Sequence, residues 1–137
     1  MTGEEARRRF AASPVARLAT ADARGRPHLV PLVFVVAGDT VYSAVDAKPK
    51  RSSALRRLAN VAANPHVALL VDHYEDDWRA LWWVRAEGTG RVLDAGGPEA
   101  RDAIARLVDR YPQYRDRPPA GPVLAVDVAR WSGWTGS

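Results

Sequence analysis

Runs of apolar residues along the chain, bounded by Gly, Pro or charged residues, predict a mainly β protein with a few helices. Such runs are typical of strands, and they are expected over six segments, residues 15–20, 28–36, 40–45, 67–74, 81–93 and 123–128. The connections between them are mostly short, which favours antiparallel pairing. Residues 28–36 are apolar at almost every position, so both faces of that strand need cover, from a barrel interior or from another subunit.

Apolar residues at helical spacing predict three helices between these strands. They are expected over residues 3–12, in the stretch from Lys50 to Asn64, and over residues 98–111. Thr2 and Glu5 have the capping-box spacing ahead of the first helix. Gly88 and Gly90 inside a strand indicate a bulge or a close backbone approach. Strands of such varied length with a helix after the third favour a small closed or split barrel over a sandwich.

Composition restricts the class of protein further. A chain of 137 residues, 47% hydrophobic and 26% charged, suits a single domain over residues 1–137. It has no cysteine, which excludes disulfides and thiol catalysis. The longest charge-free apolar run, residues 29–37, is too short for a membrane-spanning helix, and the N-terminal stretch lacks the apolar core of a secretion signal. We therefore expect a soluble, cytoplasmic protein.

The positive charge of the chain does not indicate a nucleic-acid binder. Its formal net charge of +4 comes from basic residues, almost all arginine, that are spread among 16 acidic ones. Nucleic-acid binders more often cluster their basic residues around aromatic stacking platforms. The three histidines lack metal-ligand spacing, and no Gly-x-Ser-x-Gly motif is present. The sequence thus predicts no metal site and no self-sufficient set of catalytic side chains.

One basic segment, Asp-Ala-Lys-Pro-Lys-Arg-Ser-Ser at 46–53, follows a predicted strand and precedes a predicted helix. The first-turn amides of a helix are unpaired and attract anions. Lys48, Lys50 and Arg51 add positive charge there, and both lysines of the chain fall within this segment. We interpret the segment as a phosphate cradle. The alternative, from spacing alone, is a solvated basic loop, and the lack of a Gly-rich pattern argues against a nucleoside triphosphatase.

Aromatic residues form a second cluster, around an acidic loop, and include Tyr74, Trp78, Trp82 and Trp83. Because neighbouring residues of a strand point to opposite faces, Trp82 and Trp83 are expected to face opposite ways. An outward tryptophan is unfavourable unless a partner or a flat ligand covers it. Core packing is the alternative for some of the five tryptophans.

Several short segments, in order, resemble the pyridoxamine-phosphate-oxidase-like split-barrel family. They are Ala-Arg-Leu-Ala-Thr at 16–20, Gly-Arg-Pro-His at 25–28, Pro-Leu-Val-Phe at 31–34, Lys-Pro-Lys-Arg at 48–51 and Asn-Pro at 64–65. The sequence Asp-His-Tyr-Glu-Asp-Asp-Trp at 72–78, followed by Leu-Trp-Trp-Val-Arg at 81–85, is similar to the actinobacterial branch that uses the deazaflavin coenzyme F420. The similarity extends over residues 14–134.

This resemblance implies a six-stranded antiparallel split β-barrel with accessory helices. It also implies a homodimer with the cofactor in a groove at the subunit interface. The implied cofactor-binding residues are Lys48, Pro49, Lys50, Arg51 and Ser43 around the phosphate, Pro31, Val33 and Phe34 near the ring, and Trp78 or Trp82 closing the groove. The acidic γ-glutamyl tail of coenzyme F420 would suit Arg56 and Arg57 at the rim.

The implied function is that of an F420-dependent oxidoreductase that transfers a hydride between the deazaflavin and a small organic acceptor. Because the cofactor would supply the chemistry, the lack of recognisable catalytic side chains is explained. Two alternatives stay open. One is an FMN-binding oxidoreductase of the same fold, since a phosphate cradle does not distinguish the two rings, and the other is a non-catalytic carrier of a cofactor or small molecule.

Overall fold

The computed structural model describes residues 1–45 and 53–137, which form one antiparallel sheet with helices packed on it. The strands are β1 (Ala16–Ala21), β2 (Pro27–Leu32), β3 (Val35–Ala37), β4 (Thr40–Ala44), β5 (His66–His73), β6 (Trp82–Leu93) and β7 (Val123–Thr135). The helices are α1 (Gly3–Ala12), α2 (Ser53–Ala63), α3 (Pro98–Arg110) and α4 (Gln113–Asp116), with a 3-10 turn at Trp78–Ala80. In the described ranges no helix has the length and apolar character needed to cross a membrane.

The sheet curls into a split barrel. Its strand order is β2-β1-β5-β6-β7-β4-β3, so the consecutive strands β2 and β3 lie at opposite edges. Only Val33 and Phe34 separate them. A connection this short spans about 11 Å at most, so the two edges must approach each other at this end. The expected antiparallel barrel with accessory helices is confirmed. We call residues 33 and 34 the edge link.

The number of strands predicted from the sequence was wrong, because the edge link interrupts one of them. The sequence predicted one strand over residues 28–36 and six strands in all, whereas the described residues form seven, because this stretch is broken in two. The break occurs where side chains of α3 and its C-cap replace the ladder hydrogen bonds of the backbone. Phe34 N–H donates to the Tyr111 hydroxyl, and the Phe34 carbonyl accepts from Arg110.

Most other predicted elements are confirmed to within a residue or two. Helix α1 has the predicted bounds, and the Thr2 hydroxyl accepts a hydrogen bond from the Glu5 N–H at 3.1 Å. The predicted bulge lies between Glu87 and Gly88. A Cβ on Gly88 would lie 2.1 Å from the carbonyl oxygen of Asp127, so this position requires glycine. The last strand continues seven residues beyond its predicted end at residue 128, because β6 pairs with it over its whole length.

Two apolar clusters form the core. The larger one fills the barrel with alternate residues of the strands and receives α1, whose Phe10 is fully buried against Phe34 with ring centroids 4.8 Å apart. The smaller cluster lies under α3, which buries Ala103 and Leu107 against β3, β4 and β7. Together they fix both the barrel wall and the helix that contacts the edge link.

A charged network ties the start of α3 to the sheet. Arg91 donates to Asp127 at 2.7 Å and to Glu99 at 2.9 Å, and the Tyr42 hydroxyl donates to Glu99 at 2.6 Å. The hydrogen bonds from Arg91, and then from Tyr42, lower the pKa of Glu99 to about 2. Arg91 also holds the pKa of Asp127 below its ordinary value, while burial, followed by Glu99, raises the pKa of Tyr42.

Candidate functional site

A small cavity opens beside the edge link, where the two edges of the sheet approach each other. Its volume is about 150 Å³, and we call it the groove. Five elements or links contribute to its walls, which are formed by Pro31, Leu32, Val33, Ser43, Ala44, Arg57 and Tyr114. Three residues predicted to bind the cofactor, Pro31, Val33 and Ser43, therefore lie together at one site.

Ser43 contributes to the groove mainly by holding its wall. The side chain is buried, and its hydroxyl donates a hydrogen bond to the Val33 carbonyl at 2.9 Å. This bond fastens the edge link to β4 and uses the hydroxyl proton within the chain. The oxygen of Ser43 still has lone-pair capacity, so towards a ligand it can act as an acceptor.

Arg110 and Tyr111, which we call the latch, hold the edge link from its other side. Arg110 Nη1 donates to the Phe34 carbonyl at 2.7 Å, and Arg110 Nη2 donates to the Ser13 carbonyl. The Tyr111 hydroxyl lies 3.2 Å from Phe34 N and 2.9 Å from Phe34 O. Sequence reasoning placed Tyr111 in the apolar stripe and at the end of the helix expected over residues 98–111, but it did not predict these contacts, because they join residues far apart in the chain.

A second cavity, of about 290 Å³, adjoins the groove and shares Val33 and Tyr114 with it. Tyr111 and Gln113 complete its lining. The rings of Tyr111 and Tyr114 meet edge to face with centroids 6.1 Å apart. Helix α4, which carries Tyr114, was not predicted because its four residues are too few to show a helical period. In the sequence, the spacing of Tyr111 and Tyr114 at i and i+3 was the signal that could have indicated this cavity wall.

The Phe34 side chain, predicted near the ring of the cofactor, lies in the core instead of the groove wall. It is fully buried against Phe10, and the Arg110 guanidinium lies 5.0 Å from its ring centroid. Because the backbone leaves the strand at the edge link, Val33 faces the cavities while Phe34 faces inwards.

Neither Trp78 nor Trp82 lies at the groove of its own chain. Trp78 is 69% exposed in the 3-10 turn. Trp82 stacks on His73 at 6.5 Å, with the Arg9 guanidinium 5.3 Å from its ring centroid. Ser43 pairs with Leu124 of β7, which in turn pairs with Val92 of β6. Val92 is ten residues from Trp82, a separation of about 30 Å along the strand.

The opposite orientations of Trp82 and Trp83 are confirmed. Trp83 points to the outside of the barrel, where the Arg85 guanidinium lies 5.2 Å from its ring centroid. Trp83 lies on a mixed surface of strands β2, β1, β5, β6 and β7, which we call the outer face. Its ion pairs are Arg17–Asp72 and Arg85–Glu87, and its apolar side chains are Ala19, Leu29, Pro31, Ala68, Leu70, Trp83 and Trp134. Pro31 belongs both to this face and to the groove.

The predicted phosphate cradle falls outside the described residues, namely at Lys48, Pro49, Lys50 and Arg51. Of the described residues on either side, Ala44 and Arg57 both line the groove. Arg56, the other arginine expected at its rim, lines a different cleft of the protein.

The described lining of the groove is mainly polar, with a smaller apolar part. Pro31, Val33 and Ala44 provide apolar contact, and Arg57 provides positive charge. Cofactor pockets usually occupy about 300–1,000 Å³, so the groove, with 150 Å³, is too small to enclose a whole cofactor by itself.

Comparison with known proteins identifies the family of the chain. Residues 2–135 match the family described as pyridoxamine 5'-phosphate oxidase. The chain belongs to this family. A curated relative from Streptomyces rimosus subsp. rimosus, 5a,11a-dehydrotetracycline/5a,11a-dehydrooxytetracycline reductase, is 34% identical over 90 residues. That alignment covers 65% of this chain and 62% of the relative, which is less than two thirds of the relative's length.

Solved structures share the fold at low sequence identity. A conserved hypothetical protein of Mycobacterium tuberculosis has a TM-score of 0.76 at 20% identity, over 99% of this chain and 86% of the other. The heme storage protein HutZ of Vibrio cholerae has a TM-score of 0.74 at 17% identity, over 98% and 95%. An FAD-binding protein of Mesorhizobium loti has a TM-score of 0.73 at 23% identity, over 97% and 94%.

Proposed function

We propose that the protein is an oxidoreductase that binds coenzyme F420 at the groove and transfers a hydride between this deazaflavin and a small organic acceptor. Membership of the pyridoxamine 5'-phosphate oxidase family and similarity to a reductase support an oxidoreductase. The observation that carries the proposal is the meeting of Pro31, Val33 and Ser43 at one cavity, directly ahead of the basic segment in the chain.

The basic segment is the proposed binding site for the negative end of the cofactor. Lys48, Lys50 and Arg51 supply three cations within four residues, and the described residues Ala44 and Arg57 on either side of them line the groove. Charge-assisted hydrogen bonds to phosphate oxygens are among the strongest that side chains make. A phosphate held there is consistent with a ring lying along Pro31 and Val33.

A second copy of the chain is proposed to complete the site. The outer face exposes 67% of Leu29 and 46% of Trp134, and apolar surface of this kind usually marks an interface. Since Pro31 lies at the boundary between the outer face and the groove, a copy docked on that face would enlarge the groove. Trp78 and Trp82, distant from the groove in their own chain, would have access to it only from the other copy.

The chain's own contribution to the reaction is positioning and exclusion of water. When bound in its reduced form, the deazaflavin supplies the hydride. Ser43 holds the Val33 carbonyl and the latch holds Phe34 beside it, so that the edge link is positioned before a ligand arrives. A preorganised, dry wall orients reactants and suppresses side reactions.

Two alternatives share this fold. FMN would use the same phosphate site, and a non-catalytic carrier is supported by the likeness to a heme storage protein, since the described groove residues include no recognised catalytic set. Parallel titrations that follow tryptophan fluorescence quenching distinguish the cofactors, and tighter binding of FMN than of F420 contradicts the proposal. Turnover of reduced F420 with a panel of unsaturated acceptors tests for catalysis. If no acceptor in the panel increases the rate at which F420 is oxidised, the result favours the carrier.

A further inference from the structure

The cavity that adjoins the groove differs from it in character. Val33, Tyr111, Gln113 and Tyr114 line it, and we call it the α4 cavity. Its described lining is mainly apolar, whereas that of the groove is mainly polar. Its volume of about 290 Å³ is close to the lower limit of ligand pockets, which is about 300 Å³. The α4 cavity therefore suits a small apolar molecule better than a phosphate or a carboxylate.

The position of the α4 cavity suits the hydride acceptor of the proposed function. Hydride transfer requires the reacting atoms to lie about 3–3.5 Å apart, so the acceptor must bind directly against the cofactor. The α4 cavity shares Val33 and Tyr114 with the groove, so ligands in the two would contact the same two side chains. The larger cleft at Arg56 shares no lining residue with the groove among those that the structure describes.

The α4 cavity has no charged side chain among its described lining residues. The nearby Arg110 guanidinium, 5.0 Å from the Tyr111 ring centroid, does not line the cavity. It donates hydrogen bonds to the carbonyls of Phe34 and Ser13 instead. Gln113 is exposed, and its side-chain amide makes no hydrogen bond within the described ranges. A neutral amide offers a donor and an acceptor but does not compensate a buried charge.

We propose that the α4 cavity binds the organic acceptor, and that this acceptor is an uncharged, flat molecule with an apolar ring and a carbonyl group. Its ring would pack on Val33, Tyr111 and Tyr114, and its carbonyl would accept a hydrogen bond from the Gln113 amide. Gln113 is then the residue that selects neutral acceptors over anionic ones. The assignment as the acceptor site rests on the proposed function, whereas the preference for a neutral ligand follows from the lining of the cavity alone.

Coumarin and coumarin-3-carboxylate test this selectivity, because they share one flat bicyclic lactone and differ by a carboxylate. Binding is followed by NMR, first to the cofactor-free protein and then to the protein loaded with F420. We expect saturable binding of coumarin, with intermolecular NOEs to the side chains of Tyr111 and Gln113, which line the α4 cavity and not the groove. The carboxylate should bind about tenfold more weakly, because its charge would be buried without a partner.

Substitutions of Gln113 test its role. Gln113→Trp fills the cavity, so the affinity for coumarin should fall about tenfold or more. Gln113→Arg supplies a cation, so it should reverse the preference and bind the carboxylate more tightly than coumarin. Ala105→Trp is the matched control for Gln113→Trp, since it places the same side chain at an exposed position of α3 that does not line the cavity.

The proposal is overturned if NOEs from coumarin reach only groove residues such as Ser43, or if the wild type binds both probes equally. It is also overturned if Gln113→Trp binds coumarin as tightly as the control does. If Gln113→Trp instead abolishes a dimer seen in sedimentation, the cavity is a contact between copies and the proposal fails. Failure of F420 to bind contradicts the proposed function, and the two probes then still decide whether the cavity selects neutral ligands.

Discussion

Arg110 donates a hydrogen bond to the carbonyl oxygen of Phe34 at 2.7 Å, across 76 positions of the chain. The bond joins the end of α3 to the point where the backbone passes from one edge of the sheet to the other. The same guanidinium lies 5.0 Å from the Phe34 ring centroid, so one side chain holds both the backbone and the ring of this residue. Helix α3 is thereby fastened to the edge link, next to the groove residue Val33.

Tyr111→Phe is expected to lower the free energy of unfolding. The change removes the hydroxyl that accepts from Phe34 N–H and leaves that donor without its partner. The expected loss is about 1–3 kcal/mol, measured by urea denaturation. Tyr74→Phe is the control, because Tyr74 is 71% exposed and makes no hydrogen bond within the described ranges. An equal loss in both variants would contradict the role assigned to the latch.

Stability is expected to fall in acid through Glu99. Its pKa in the folded protein is about 2 instead of 4.5, so it contributes stability that is present above the ordinary value and is lost as the pH falls towards 2. Asp127, whose pKa is also lowered, acts in the same direction. Urea midpoints measured from about pH 7 to about pH 2 should fall less steeply in Glu99→Gln than in the wild type.

The control for this measurement is Asp76→Asn, which removes an exposed loop carboxylate that has no hydrogen bond or ion pair in the described part of the chain. Its acid profile should follow that of the wild type. If Glu99→Gln also follows the wild-type profile, the network around Arg91 does not set the acid sensitivity of the fold.

The elements that the sequence predicted well depend on neighbouring residues. Helix α1 has its cap at Thr2, and β5 alternates buried and exposed positions, so each is specified within a few residues. The edge link was missed because its cause lies 76 and 77 positions away, in the side chains of Arg110 and Tyr111. The pattern of apolar residues over 28–36 therefore gives no indication of those contacts.

The same distinction explains the site. Pro31, Val33 and Ser43 could be predicted from the order of short motifs, and they meet at one groove. The position of Phe34 could not, because the alternation of faces ends where β2 ends. Opposite orientations of Trp82 and Trp83 follow from strand geometry, and Trp82 is the one that faces inwards because it shares its face of β6 with the buried Val84 and Ala86.

Gly88→Ala should destabilise the fold strongly. The added Cβ would lie 2.1 Å from the Asp127 carbonyl oxygen and 2.9 Å from the Val128 Cα, and both are backbone atoms that move only with the strand. We expect a loss of at least about 2 kcal/mol in the free energy of unfolding. Gly96→Ala is the control, since its Cβ would meet nothing within 4 Å. A loss no larger than that of the control would show that the bulge relaxes without cost.

Leu29→Glu is expected to produce monomers if a second copy covers the outer face. Leu29 is 67% exposed and lies at the β2 end of an apolar row that continues through Ala19 and Ala68, where a buried carboxylate would have no partner. Sedimentation velocity at several protein concentrations measures the change. Leu55→Glu alters another exposed leucine, on α2, and should leave the mass unchanged. A wild type that is monomeric at all concentrations would contradict the dimer.

Lys48→Ala and Lys50→Ala are each expected to weaken binding of coenzyme F420. The lost charged hydrogen bond to a phosphate corresponds to about 1.5–3 kcal/mol, which fluorescence titration at low salt measures as a rise in Kd. Arg8→Ala is the matched control, because it removes one exposed cation from α1. If only the overall positive charge attracted the cofactor, all three variants would bind it more weakly to a similar extent. Added salt would abolish this difference from the wild type, because salt screens exposed charges. A direct contact predicts instead that only the two lysine variants bind weakly, and an unchanged affinity in both would remove the basic segment from the cofactor site.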